Sequence, residues 1–318
     1  MFQHRALAAK AVIVVGFLTL MSFAAMPALA QVCDRACLIG LITQYVDAVV
    51  AHDPFKLPMA EKVKFTEDSK ALKLGEGLWK TVTGKGQFRQ DYLDVPKQVA
   101  AAHLALQEDK NQVLLSVLLH TKDKKIEGIE TLVQRITPDS RFQPKELGAP
   151  VRGMNDPIPA GKKMARTAMV KTALTYTEGL RIGSFIDGGT PFAKETYRVE
   201  NGVITAGGSC GREECGMYAQ NLMVHPSIIP SVAVVDEDNG VVVLWMNFGH
   251  TGNSYGEGNS LVTFEAFKVW GGEIHAINAF FKGLPVGTSR FWSTSDPIPK
   301  FNGGKAVNNN ATRNNNHK

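Results

Sequence analysis

Cysteine is scarce in this chain, and what there is falls at four positions: Cys33, Cys37, Cys210 and Cys215. No paired C-x-x-C spacing is present, which excludes the usual structural zinc frameworks. Aromatic residues are few, at 8%. Long apolar runs are missing after the first thirty residues, so no later segment reads as a membrane span. Charge of one sign is also missing from the body. Of the formal net charge of +5, Arg5 and Lys10 supply two charges and residues 295–318 supply three, leaving the rest near neutral. A nucleic-acid partner would need a clustered basic excess, which is not there. No phosphate-binding glycine loop, metal-ligand spacing or Ser/His/Asp arrangement stands out, so no metal or cofactor is expected.

What is present begins with a leader. His4, Arg5 and Lys10 precede an apolar run from Ala11 to Ala25, and Ala28-Leu29-Ala30 forms a small-residue cleavage site. This predicts a signal peptide over 1–30, a periplasmic or secreted chain, and no stable membrane insertion after cleavage. An exported chain permits disulfides, and four cysteines allow three pairings.

Leu38, Leu41, Ile42, Tyr45, Val46 and Val49 recur at helical spacing behind Asp34, a candidate N-cap. Met169, Ala173, Tyr176 and Leu180 repeat that spacing over 166–182. β-rich runs follow each helix: a turn and strand over 92–107, then 113–121 and 126–134, and in the second half 231–250, 261–270 and 273–281. Gly84 and Gly86 read as chain breaks. Five prolines and three glycines between 137 and 163 predict a linker extended over the surface.

The two halves align as a duplication. Tyr45 falls opposite Tyr176, Glu67 opposite Glu200, Asp94 opposite Asp236, Val117 opposite Glu265 and Ile129 opposite Ile277. Each half then reads as a helix laid across one face of a curved antiparallel meander. The strand at 241–246 is apolar on both faces, so its second face must be covered by the other half. The expected order is leader 1–30, first domain 31–136, linker 137–163, second domain 164–294 and a low-complexity disordered tail 295–318. Association into oligomers is compatible with this reading.

The motifs CDRACL at Cys33, AHDPFKLP at Ala51, and FTED with LGEGLW over 65–79 carry a resemblance. So do PFAKETYRVENG, VVDEDNGVVVLWMNFGH and EAFKVWGGEIHAINAF in the second half. The chain resembles the SnoaL-like (NTF2-like) superfamily of cone-shaped α+β domains, and within it an exported bacterial and fungal family with two tandem domains and no settled general activity. The resemblance implies an α+β tandem duplication closed into an intramolecular pseudo-dimer. Similar sequences carry an acidic residue where this chain has Gly249, glutamate where it has Asn278, and a cysteine within the stretch matched by 194–198.

Superfamily enzymes such as ketosteroid isomerases, scytalone dehydratases and polyketide cyclases use a few cavity side chains and no cofactor. That implies a lyase or isomerase acting by acid–base chemistry on a small apolar molecule, aromatic or lignin-derived. Glu265 lies in an apolar run, the condition that raises a carboxyl pKa. His250 ends the central strand at a glycine-rich loop. Asn247 is a candidate oxyanion donor and Tyr176 a candidate stabiliser. Trp245, Asn278, Tyr255 and His103 are candidate substrate contacts, with Tyr255 on a candidate lid at 251–259. Each has a structural alternative: core packing for Trp245 and His103, a backbone bond for Tyr176, a loop-pinning role for His250. A binding protein without chemistry, or a structural protein with filled cones, remains open at this point.

Overall fold

The structure, a computed structural model, describes residues 31–144, 147–207, 215–250, 254–299 and 301. The leader, Cys210, the first residues of the 251–259 loop and the Asn-rich end of the tail lie outside the described residues.

Helix α1 spans Arg35–Val50, and the Asp34 carboxylate accepts from the Cys37 N–H at 2.8 Å, satisfying one of the helix's free donors. A Cys33–Cys37 disulfide staples the first turn. Cys215 is not a free thiol either. Helix α2 spans Arg166–Ile182 and ends on Gly183, whose φ of +75° is the left-handed cap that glycine adopts without strain. On both helices the periodic apolar face is the buried one.

The first half builds six strands: β1 (Met59–Glu67), β2 (Lys70–Ala71), β3 (Gly84–Asp94), β4 (Val99–Glu108), β5 (Asn111–Lys122) and β6 (Lys125–Ile136). The second repeats them as β7 (Phe192–Glu200), β8 (Val203–Gly207), β9 (Ile229–Asp236), β10 (Val241–Asn247), β11 (Asn259–Trp270) and β12 (Glu273–Pro285). The sheet orders are β2-β1-β6-β5-β4-β3 and β8-β7-β12-β11-β10-β9, the same topology twice. Equivalent registers match: Asp94 faces Val99 as Asp236 faces Val241, and Val117 faces Thr131 as Glu265 faces Ala279.

Three expectations need correction. The sheets are mixed, because β1 pairs parallel with β6 and β7 parallel with β12. Gly84 and Gly86 do not break the chain; they lie inside β3, where the register shifts between Lys85 and Arg89. A Cβ on Gly86 would come within 2.5 Å of the Ala105 carbonyl, so glycine here permits a close strand approach. The linker is not simply surface-laid. Val151 and Met154 are buried in the central core, and the buried Lys268 ammonium donates to the carbonyls of Asp156 (2.5 Å), Asn239 (2.7 Å) and Met154 (3.3 Å).

The layers run helix, sheet, sheet, helix. Each sheet gives one face to its own helix, and the other faces meet in a shared core that holds Tyr92, Leu118 and Leu132 opposite Val243, Trp245, Phe264 and Phe280. Reciprocal ion pairs tie the halves. Arg35 grips Asp236 with two bonds of 2.7 and 3.0 Å, and its counterpart Arg166 grips Asp94 at 2.5 and 2.9 Å. Each carboxylate also accepts a backbone N–H from the other half, Asp236 from Leu93 and Asp94 from Val235, both at 3.0 Å. Both aspartates are fully buried, so pairing and hydrogen bonding offset their desolvation.

The chain after β12 returns to the first sheet. Arg290 makes a two-pronged pair with Glu130 at 2.7 and 2.8 Å. Trp292 stacks on His120 at 4.2 Å and donates to the Thr66 hydroxyl at 2.8 Å. The start of the expected disordered tail is held: the Ser295 N–H donates to the Val232 carbonyl, and Asp296 pairs with Arg166 at 2.7 Å.

Candidate functional site

The two cones differ in what fills them. In the first half, the short 3-10 turn Gly77–Lys80 inserts Leu78 and Trp79 under α1, and Trp79 meets Tyr45 edge-on at 5.6 Å. Glu67 accepts the Leu78 N–H at 2.9 Å, which anchors that plug. Burial raises the Glu67 carboxyl, with the Leu78 N–H pulling against it.

The second half holds a cavity of about 500 Å³ instead. Its walls come from α2, the end of β7, the 220–225 loop and the end of β12, with Gln134 and Ile136 at the end of β6 and residues 140–142 of the linker beside them. At its inner wall the register puts Arg198 where the first half has Phe65, and Glu265 where it has Val117. Two apolar positions of one cone are thus polar in the other. Arg198 is buried and held on three sides: it donates to the Gln220 side-chain amide oxygen Oε1 (2.7 Å), the Tyr176 hydroxyl (2.9 Å) and the Thr205 hydroxyl (3.1 Å). Glu200 stands 3.4 Å from its Nε.

Glu265 is 2% exposed, and its Oε1 has no hydrogen-bond partner among the described residues. Burial pushes its carboxyl up to about 8; Arg198 pulls it down, Glu200 pushes it further up, and the Tyr176 hydroxyl opposes the rise. It therefore carries a proton at neutral pH. Burial also drives the Tyr176 phenol well above its ordinary value, against the pull of Arg198. Because Arg198 donates to the Tyr176 oxygen, the phenolic proton is directed elsewhere: to Glu265 or to a ligand atom. Tyr176 and Arg198 line the cavity, whereas Glu265 stands behind them.

Tyr255 also lines the cavity, half-buried on the described part of the 254–259 loop. Glu265, Tyr176 and Tyr255 are therefore brought to one cone. The other candidates are placed elsewhere. His250 is exposed outside the cavity lining, and its backbone N–H donates to Ser227. Trp245 and Asn247 alternate onto the opposite face of β10 from Leu244 and Met246. Trp245 packs in the core between the sheets. Asn247 is consumed by structure: it donates to the Thr288 carbonyl (2.6 Å) and accepts from Ser260 (2.7 Å) and the Gly249 N–H (2.8 Å). Asn278 and His103 meet each other across the halves at 3.0 Å, with Tyr92 completing the cluster at 3.1 Å from Asn278. His103 stacks on Phe280 at 4.5 Å, and burial lowers it to about 3, so it is a neutral core histidine.

Residues missed at the sequence level are Arg198, Gln220 and His225. The first was legible in principle, as a cation in an otherwise buried strand aligned with a phenylalanine. The other two sit in irregular chain with no periodicity to mark them. His225 lines the cavity, its Nδ1 lacks a partner among the described residues, and burial lowers it to about 4. Among the described residues, no group of His, Cys, Asp and Glu is arranged to hold a metal ion. No helix there is long and apolar enough to cross a membrane.

A family model described as a domain of unknown function, DUF8021, matches residues 162–281, the second half alone. No curated protein matches. Among solved structures, a protein from Kribbella flavida named as a proposed ketosteroid isomerase is similar, at 12% identity and a TM-score of 0.27, over 42% of this chain and 96% of its own. Likeness at that level carries no activity across. The repeated topology, one helix across one six-stranded mixed sheet in each half, bears out the tandem duplication that the NTF2-like resemblance implies, though not its antiparallel sheets.

Proposed function

We propose that this protein is an exported, cofactor-independent acid–base enzyme of the lyase or isomerase type, acting on a small, largely apolar molecule in the second cone. One observation carries the reading. The open cone, unlike the filled one, has a buried Glu265 whose Oε1 has no partner among the described residues, behind a Tyr176 hydroxyl on the cavity wall, and burial pushes that carboxyl up to about 8. A phenol so placed gives a proton to a substrate oxygen as that oxygen gains charge, Glu265 restores it, and the proton released from the substrate carbon returns through the Tyr176 oxygen to the Glu265 carboxylate, so that the pair ends the cycle as it began. Arg198 stabilises whichever oxygen of the pair is left anionic. Proton exchange at a substrate oxygen drives isomerisation, elimination or ring opening. Export is proposed from the leader and fits the Cys33–Cys37 disulfide.

The test is to incubate the purified mature chain with a library of small aromatic ethers, alcohols and ketones and follow products by mass spectrometry. A product of equal or lower mass that disappears in both Glu265→Gln and Tyr176→Phe is the expected result. Turnover undiminished in both variants would remove this pair from the chemistry. Glu265 standing behind the cavity wall favours one second reading, a binding protein with the same cavity. It predicts stoichiometric retention of an unchanged compound.

A further inference from the structure

The charge in the cavity narrows what it holds, on the reading above that the second cone is a ligand site. Three cationic side chains line it, Arg141, Arg198 and Lys282, against one charged carboxylate, Glu200. Lys282 is paired at 2.5 Å with Asp68, so the surplus comes from the two arginines. Arg141 is exposed at the rim beside Phe142. Arg198 is the interior one. Its close acceptors, Tyr176, Gln220 and Thr205, are all neutral, and each terminal nitrogen uses one N–H on them among the described residues. A guanidinium has two N–H groups on each terminal nitrogen in one plane, the fork that matches a carboxylate. The remaining wall is apolar and aromatic: Phe248 and Tyr255 lie 6.4 Å apart, Phe281 packs edge-on to Phe142 at 5.2 Å, and Leu261 and Leu180 sit between α2 and β11. Two buried polar atoms of this region, Glu265 Oε1 and His225 Nδ1, are unpartnered among the described residues.

We infer that the cavity takes a small aromatic monocarboxylic acid, its carboxylate on Arg198 and its ring against the Phe248, Tyr255 and Phe281 wall. A dianion such as a phosphate monoester is disfavoured, because Glu200 stands beside the guanidinium and a second full charge meets it directly. A neutral ligand leaves the interior arginine with one long carboxylate contact in a poorly solvated place. The volume of about 500 Å³ suits a single-ring acid with a short side chain.

The experiment compares acids with their isosteric amides on the full mature chain: benzoate with benzamide and cinnamate with cinnamamide, by calorimetry at low salt. The acid is expected to bind at least about tenfold more tightly than its amide, as for a charge-assisted pair replaced by a neutral one. In Arg198→Gln that preference is expected to fall to about twofold or less, with amide affinity kept. Equal binding of acid and amide by the native protein would overturn the inference and leave the cavity reading standing. Absence of binding by both members of both pairs would overturn the inference and count against the ligand site itself. The comparison on native protein decides the matter even if Arg198→Gln does not fold; Arg141→Gln, at the exposed rim, is expected to weaken acids a few-fold and leave amides unchanged.

Discussion

Glu265→Gln tests whether a proton is held in the second cone. The carboxyl has an ordinary value of 4.5 and is pushed up to about 8 in the folded protein, first of all by burial. Between those limits the folded chain keeps a proton that the unfolded chain has released. Stability therefore falls as pH rises from about 4.5 to about 8, and below that window the group costs nothing. The interval is roughly 3.5 pH units at about 1.4 kcal/mol each, an upper limit of about 5 kcal/mol. Glutamine copies the shape of the neutral acid and does not ionise. The expectation is near-equal stability of the two proteins at pH 4.5 and a widening advantage for Glu265→Gln that levels off above pH 8. Urea unfolding followed by far-UV circular dichroism at half-unit pH steps measures it, with midpoints converted through a common m-value. A difference between the two proteins that stays flat across the window would refute a native proton on Glu265, and with it the acid proposed for the site.

Three further outcomes follow from packing. Asp94→Ala removes one of the two carboxylates that grip Arg166, leaving Asp296, and takes the acceptor from the Val235 N–H; a loss of about 2–3 kcal/mol is expected, read by denaturant midpoint, with Asp236→Ala costing a similar amount through Arg35 and the Leu93 N–H. Arg290→Met leaves the buried Glu130 beside His120 alone; a destabilisation of about 3 kcal/mol is expected, together with faster proteolytic loss of the chain after β12. Trp79→Ala empties the first cone and costs about 3–5 kcal/mol, and thermal unfolding of this variant is expected to shift upward with added indole or benzene, while native protein is expected to show no such shift from the first cone.

The duplication and most of the elements were legible in the residue pattern alone. Helical spacing marked both helices, and β-rich runs separated by turns marked most strands, because those patterns depend on neighbours close in the chain. Aligning Tyr45 with Tyr176 and Val117 with Glu265 already pointed to the second half for any site built on that glutamate. β3 was hidden because its two glycines read as breaks, although they serve a close approach between strands. Period two puts Trp245 and Asn247 on one face of β10, but it does not say which face looks into the cone. That choice came from the other half of the molecule, whose sheet covers the face bearing Trp245 and whose His103 meets Asn278 across the core, while Asn247 is taken up by Thr288, Ser260 and Gly249. Arg198 acquires its place from Tyr176 on a helix 22 residues earlier and Gln220 on a loop 22 residues later, and no local pattern records such a meeting. Whether a cone is open or plugged was also a tertiary decision. Tyr45 and Tyr176 sit alike on their helices, and only the packing of Trp79 beneath the first shows that one cavity is closed and the other can hold a ligand.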